Sequence, residues 1–256
     1  MAGTPLDADR IRVRRTFGVA DEQIDRDHLI SHLLAGLSAS RVADRIIFFG
    51  GTALSRSFLP DIRLSEDIDL IVDQRTRDVA AEIQRTLDRA VARSHGRLRW
   101  NPSLTELAHG TTPAVATTAT GSSVRIQLLS AAGYPAWPTT EYDLDQRYTD
   151  APPARLRILT QQAFVVAKTT AWLNRNTPRD LYDLWALADR HMVNSEAATL
   201  YRTIGPTGSL PTDSDYPAVP DEQSWRAQLS HQCRVLLGPT AAFDVVRRAW
   251  MQAVSS

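Results

Sequence analysis

The sequence predicts an α+β fold, with strands and helices interleaved over residues 1–150 and helices dominating residues 151–256. Three patterns predict this. Short apolar runs of strand length, Ile46–Phe49, Asp67–Val72 and Ser123–Ser130, are separated by a helix-period stretch over residues 76–93. A loop with Pro135 and Pro138 is followed by the pair Pro152-Pro153, which places a domain boundary near residue 150. Beyond it, apolar residues recur at helical spacing over residues 161–190, 221–237 and 240–253.

Taken in order, Arg10, Arg12, Arg14 and Arg15 read as a solvated terminal arm. Over Asp21–Ser38, Ile24, Leu29, Leu33, Leu34 and Leu37 fall on roughly one side of a helix. His28 and His32 sit one turn apart on it. That spacing suits a shared metal, but no neighbour in sequence completes a zinc site, and both read as surface residues. The apolar run Ile46–Phe49 reads as a buried strand, bent at Gly50-Gly51 into a short helix that Pro60 closes. Thr76 is a suitable N-cap for a helix to about Arg93, burying Val79, Ile83, Leu87 and Val91. Short strands are expected over 97–101, 104–109 and 114–120, then a turn at Thr120-Gly121-Ser122 and the returning strand Ser123–Ser130. Residues 155–159 suit a strand or a helix start.

In the second half, Thr177-Pro178 opens a helix with a threonine cap and proline at its first position. A helix is expected over 195–203, a loop over 205–220, and two helices over 221–237 and 240–253. Trp225, Leu229, Val235, Leu236, Phe243, Val246 and Trp250 read as core, and Cys233 as inert.

The bulk properties exclude several classes. With 256 residues, 43% hydrophobic and 23% charged, the chain has the make-up of a globular protein with a real core. No apolar run approaches a membrane span, and the first residues lack a signal-peptide core, so no membrane partner and a cytoplasmic location are expected. One cysteine excludes an intrachain disulfide. Zero net charge gives no general basic surface for duplex DNA. Lys168 is the only lysine among 29 basic residues, the rest being arginine. A compact ammonium on a flexible stem suits a triphosphate oxygen, although chance retention explains one lysine equally well.

Chemistry concentrates in two stretches. In the first, the glycine bend lets backbone approach a phosphate, with unpaired helical N–H groups turned toward it. In Ser65-Glu66-Asp67-Ile68-Asp69, period-two alternation puts Asp67 and Asp69 on one face, where a hard divalent cation would offset their repulsion. Each half alone is common as a turn or a solvated strand edge. On the later strand, Val124, Ile126 and Leu128 share one face and Arg125, Gln127 and Leu129 the other. In the second stretch, Lys168 and Arg175 share a helix face, and Asp180 and Asp183 lie on the next helix. Asp180 also suits the helix dipole, and Arg179 with Asp183 also suits an ordinary surface pair worth roughly 0.3–0.5 kcal/mol.

The order Gly50-Gly51-Thr52, Arg63-x-Ser65-x-Asp67-Ile68-Asp69, Lys168, Arg175, Arg179-Asp180 and Asp183-Leu184 resembles the AbiEii/AbiGii (MenT-like) toxins of the DNA polymerase β-like nucleotidyltransferase superfamily, over about residues 40–190. The resemblance implies a mixed β-sheet core flanked by helices, with a helical C-terminal domain that completes the active site. It implies that Asp67 and Asp69 hold Mg2+ (or Mn2+), that Gly50, Gly51, Thr52, Arg63 and Ser65 lie by the phosphates, that Lys168 binds the triphosphate, and that Asp183 is a further catalytic acid. Arg175, Arg179 and Asp180 are expected around the nucleotide. The resemblance also implies a third acid on the strand beside the pair, where this chain departs from the pattern with Gln127, whose amide supplies neither charge nor base. The implied reaction moves a nucleotide from an NTP to an RNA acceptor, the tRNA 3′ end, in a toxin held in check by a cognate antitoxin protein. The alternatives are a small-molecule (antibiotic) nucleotidyltransferase, whose acceptor pocket would be acidic, and a non-catalytic NTP-binding interaction module.

Overall fold

A computed structural model describes residues 4–74, 76–107 and 112–255. In chain order the elements are α1 (Pro5–Phe17), α2 (Asp21–Ser38), β1 (Ile46–Phe49), α3 (Gly50–Ser55), β2 (Asp67–Val72), α4 (Arg77–Val91), β3 (Arg99–Trp100), β4 (Ala114–Thr117), β5 (Ser123–Ser130), β6 (Thr139–Asp143), β7 (Arg155–Leu159), α5 (Gln161–Arg175), α6 (Pro178–Asp189), α7 (Ser195–Ile204), α8 (Glu222–Leu229) and α9 (Pro239–Ser255). Two compact units result. The first comprises Met1–Pro135 with Thr139–Ile158, and the second Ala136–Pro138 with Leu159–Ser256.

The division falls after Ile158 rather than near residue 150. The prolines at 152 and 153 turn the chain between two strands of one sheet, because β7 lies in the sheet beside β1, with Phe48 opposite Ile158.

The first unit is built on a mixed seven-stranded sheet, in the order β3-β4-β5-β2-β1-β7-β6 among the described residues. β1 and β2 are antiparallel and β2 and β5 parallel, so β2 is flanked on both sides by paired strands. Its alternation follows: Ile68 and Leu70 are fully buried, while Asp67 and Asp69 keep some exposure on the opposite face. The amphipathic α4 buries Ala80, Ile83, Leu87 and Val91, capped by Thr76 as expected. α2 crosses it closely at Gly36, where a β-carbon would lie 2.1 Å from that of Ala90.

Several expectations change. The arginine-rich start is no loose arm. It is a capped helix that buries Val13 and Phe17 against Ile24 and Tyr148, with Arg10 paired to Asp25 at 2.5 Å. Residues 104–107 form turns rather than a strand, and the rest of that expected strand, to His109, lies outside the described residues. α8 stops at Leu229, so Val235 and Leu236 leave the helix, and Leu236 is exposed rather than core.

His28 and His32 are buried, not on the surface. The face of α2 that they occupy is covered by His95, just beyond α4, and by the segment carrying Tyr148 and Asp150. Burial, then the neighbouring His28 and His32, pushes the His95 pKa down to about 4, and burial likewise lowers that of His32.

A buried ion cluster fixes the region behind the glycine bend. The Asp27 Oδ1 accepts from Arg56 at 2.7 Å and from Arg147 at 3.0 Å. Buried charges cost several kcal/mol each unless their remaining donors and acceptors are satisfied. Here Arg56 also donates to the Asp145 carbonyl at 2.9 Å, and Arg147 to the carbonyls of Ser55 at 2.5 Å and Pro60 at 3.0 Å. The Asp27 Oδ2 and the Arg56 Nε have no hydrogen-bond partner among the described residues, so the cluster is only partly satisfied. Burial pulls the Arg56 pKa down to about 10 against the opposing pull of Asp27. The cluster thus ties α2 and the 145–148 segment to the C-terminal end of α3, at whose other end the glycines lie.

The second unit is helical. α6 packs against α5, α8 and α9, and α7 against α5 and α9. Trp172, Trp225, Trp250, Tyr182 and Tyr201 fill its core, and the Trp225 indole donates to the Leu237 carbonyl at 2.8 Å. Among the described residues no helix is long and apolar enough to cross a membrane.

Candidate active site

In the first unit the β1–α3 bend and the start of β2 meet. Gly50 has φ +80°, a left-handed conformation that strains any other residue. A β-carbon there would lie 2.1 Å from the Asp69 Oδ2, so the carboxylate rests directly over the bend. A β-carbon on Gly51 would lie 2.8 Å from an Arg63 guanidinium nitrogen and 3.2 Å from the Ser65 hydroxyl. Gly50 is therefore demanded by its backbone conformation as well as by the carboxylate, while Gly51 lets the Arg63 and Ser65 side chains approach closely. The Thr52 hydroxyl donates to the Asp67 carbonyl and pins the bend to β2. Gly50, Gly51, Thr52, Arg63, Ser65, Asp67 and Asp69 are thus brought together. Arg63 is buried and donates to the Leu64 carbonyl at 3.1 Å.

On the other side of β2, the parallel register sets Arg125 opposite Asp67 and Gln127 opposite Asp69. Gln127 therefore occupies the strand position beside the acid pair. Arg125 holds Asp67 in a two-pronged ion pair, Nε to Oδ1 at 2.7 Å and Nη2 to Oδ2 at 2.9 Å. That hydrogen bond, more than the Coulomb attraction, raises the guanidinium pKa. No role for Arg125 followed from the motifs. Its parity with Gln127 on β5 was the available signal, because register turns that parity into a position opposite Asp67. A cleft of about 210 Å³ opens among Asp67, Asp69, Pro113, Arg125 and Gln127.

The donor set of this cleft fits a hard divalent cation: carboxylate oxygens on one sheet face and a neutral amide beside them. Arg125 already neutralises Asp67 in part. A half-exposed pair of this kind is worth at most ~1 kcal/mol, so a divalent ion displaces or shares it at small cost.

In the second unit the Lys168 ammonium on α5 lies 3.1 Å from the Asp180 Oδ1 and 2.7 Å from the Asp183 Oδ2, all three being buried. The Asp180 Oδ2 accepts from Arg175 at 2.8 Å and from the Thr177 hydroxyl at 2.7 Å. Asp183 thus pairs with Lys168 across two helices. Burial alone would raise the Asp180 pKa. The charges of Lys168 and Arg175 and the Thr177 hydrogen bond outweigh it and bring the value down to about 2. Asp180 is saturated by donors, a geometry that fits it to orient Lys168 rather than to meet a phosphate. Arg179 is half-buried in the first turn of α6.

A search of curated proteins found no match. Among solved structures the fold is similar to that of MenT4, a nucleotidyltransferase toxin from Mycobacterium tuberculosis H37Rv, at a TM-score of 0.66 and 19% identity, over 96% of this chain and 90% of that one. The family model described as "Nucleotidyl transferase AbiEii toxin, Type IV TA system" matches residues 32–232. That match takes in the glycine bend, the acid pair and the lysine cluster, and the chain belongs to the AbiEii family of nucleotidyl transferase toxins.

Proposed function

We propose that this toxin transfers a nucleotide from a nucleoside triphosphate to the 3′ end of an RNA, tRNA being the expected acceptor, with Mg2+ on Asp67 and Asp69. The observation that carries the reading is the Asp69 carboxylate seated over Gly50, beside Asp67 and within reach of the Gly51–Arg63–Ser65 group. A divalent ion bound there supplies Lewis-acid polarisation of a phosphate oxygen and lowers the pKa of a hydroxyl.

The protein's own residues supply the rest. Arg63 and Ser65 offer donors to phosphate oxygens beside a bend that lacks side chains. In the reaction the acceptor hydroxyl oxygen bonds to the α-phosphorus, the bond to the departing pyrophosphate breaks, and the hydroxyl proton passes to a carboxylate. Gln127 cannot take that proton. We assign it to Asp183 and assign Lys168 to the charge on the leaving phosphates. The support is chemical: one ammonium kept in a chain that otherwise uses arginine, held by two acids. Arg175 and Arg179 are assigned to phosphates of donor or acceptor, and Asp180 to orienting Lys168. The arginines around this cluster favour an anionic acceptor over a cationic antibiotic.

The family is one of toxins in toxin–antitoxin systems, so an antitoxin partner is expected to neutralise the chain. The test of function offers the purified chain each labelled NTP in turn, with total RNA, with aminoglycosides, or with no acceptor. Label entering small RNA supports the proposal. Label on an aminoglycoside instead, or NTP binding without pyrophosphate release, replaces it with the corresponding alternative.

A further inference from the structure

We propose a second metal site in this protein, remote in sequence from the acid pair, in which His28, His32 and Asp150 bind one Zn2+ or a similar borderline transition-metal ion and His95 orients His28. The site lies within the first unit and joins three segments: α2, the turn after α4, and the segment before β7.

The geometry carries it. The His28 Nε2 and the His32 Nε2 lie 3.3 Å apart. The Asp150 Oδ2 lies 3.0 Å from the first and 3.5 Å from the second. These three atoms form a near-equilateral triangle. Ligands bound tetrahedrally to Zn2+ at ~2.0–2.1 Å are separated by about 3.3 Å, so the triangle has the size of one face of that tetrahedron. One helical turn between two histidines aims both side chains at the same point. Ligating atoms of all three histidines lie within 4.8 Å of one another.

The surrounding hydrogen bonds suit a ligand too. With Nε2 on a metal, the His28 Nδ1 carries its proton and faces the His95 Nε2 at 3.1 Å. The His95 Nδ1 meets the Ser94 hydroxyl at 2.8 Å. An outer hydrogen bond of this kind fixes the tautomer and ring plane of a ligating histidine. Without an ion the arrangement is awkward. His28 and His32 point ring nitrogens at one another while a single carboxylate serves both, and the His32 contact to it, at 3.5 Å, is too long for a good hydrogen bond. The Asp150 side chain is 39% exposed, which leaves a route for an ion from solvent.

The test uses the tag-free full chain carrying Asp69→Asn, so that the acid pair does not contribute. The chain is stripped of metal, titrated with ZnCl2 alone, desalted and assayed for bound metal, and then titrated with CoCl2 and read by visible absorption. The proposal predicts one equivalent of Zn2+, the intense bands of four-coordinate Co2+, and a higher unfolding temperature with Zn2+. Stoichiometric binding should disappear in His32→Gln and in Asp150→Asn and should weaken at least about tenfold in His95→Gln. Asp150→Asn, at the most exposed ligand, serves where a histidine variant fails to fold, with circular dichroism confirming its fold. Absence of Zn2+ binding, octahedral Co2+ spectra, or binding unchanged in the folded Asp150→Asn chain would overturn it. These outcomes are independent of whether the acid pair transfers nucleotides.

Discussion

Two aspartate pairs in this molecule sit in opposite circumstances. Asp67 and Asp69 lie at the start of an interior strand, and the Asp67 side chain is 32% exposed; its arginine partner, 49% exposed, comes from a neighbouring strand. Asp180 and Asp183 are 3% and 4% exposed and share a lysine that is itself only 10% exposed. The comparison teaches that the same residue type is prepared for different work by what balances its charge. The strand pair is balanced from outside, by a side chain that an incoming cation can replace. The helix pair is balanced from within, by an ammonium that the fold has already desolvated. The first arrangement suits an exchangeable metal. The second suits a permanently oriented cation.

The comparison can be broken most severely at Asp69. Asp69→Asn should reduce nucleotide transfer by at least ~1,000-fold, since metal-borne stabilisation of the transition state is worth several kcal/mol. Its denaturation midpoint should stay at the wild-type value, because an amide of equal size still fits over Gly50. Parallel urea unfolding and labelled-NTP assays check both halves.

At the helix pair the order of effects reverses, with stability falling directly. Lys168→Met leaves two buried carboxylates without their shared cation and should cost roughly 3–5 kcal/mol, somewhat less where Arg175 compensates at Asp180. Urea titration followed by tryptophan fluorescence reads this, since Trp172, Trp225 and Trp250 all lie in that unit. A change below about 1 kcal/mol would show that the cluster is not balanced as described.

Acid sharpens the same point. The Asp180 pKa is lowered from 3.8 to about 2 on folding, so its contribution is present above pH 3.8 and lost as pH falls toward 2. The loss should total about 2 kcal/mol, and Asp180→Asn should flatten that part of the stability–pH curve.

The smallest effect belongs to Arg125. Arg125→Ala should change stability by no more than ~1 kcal/mol. It should tighten Mn2+ binding at the acid pair up to about fivefold, since the competing guanidinium is gone. Weaker Mn2+ binding in the variant would mean that Arg125 supports the ion rather than competing with it.

What could be read in the sequence followed its local rules. Thr76 and Thr177 announce helix starts, and both accept the expected backbone N–H. Strand parity placed Asp67 and Asp69 together and put Gln127 on one face with Arg125. Gly-Gly before a short helix marked the bend. The unread part depends on contacts between segments far apart in the chain. Asp27 meets Arg56 and Arg147 in the core, yet nothing in their spacing links them. His28 and His32 looked like surface residues because only α2's own pattern was visible, and their cover comes from residues 95 and 148–150. The prolines at 152 and 153 suggested a boundary because a turn inside a sheet and a linker between domains share the same composition. Arg125 lacked a role until register set it opposite Asp67.

The most direct measurement of the central claim follows incorporation of each radiolabelled NTP into total RNA by the wild-type chain and by Asp69→Asn, with Mg2+ present. The account predicts a labelled small-RNA band for at least one nucleotide with the wild type and none with the folded variant. Equal labelling by both proteins, or no labelling by the active toxin with any nucleotide, would contradict it.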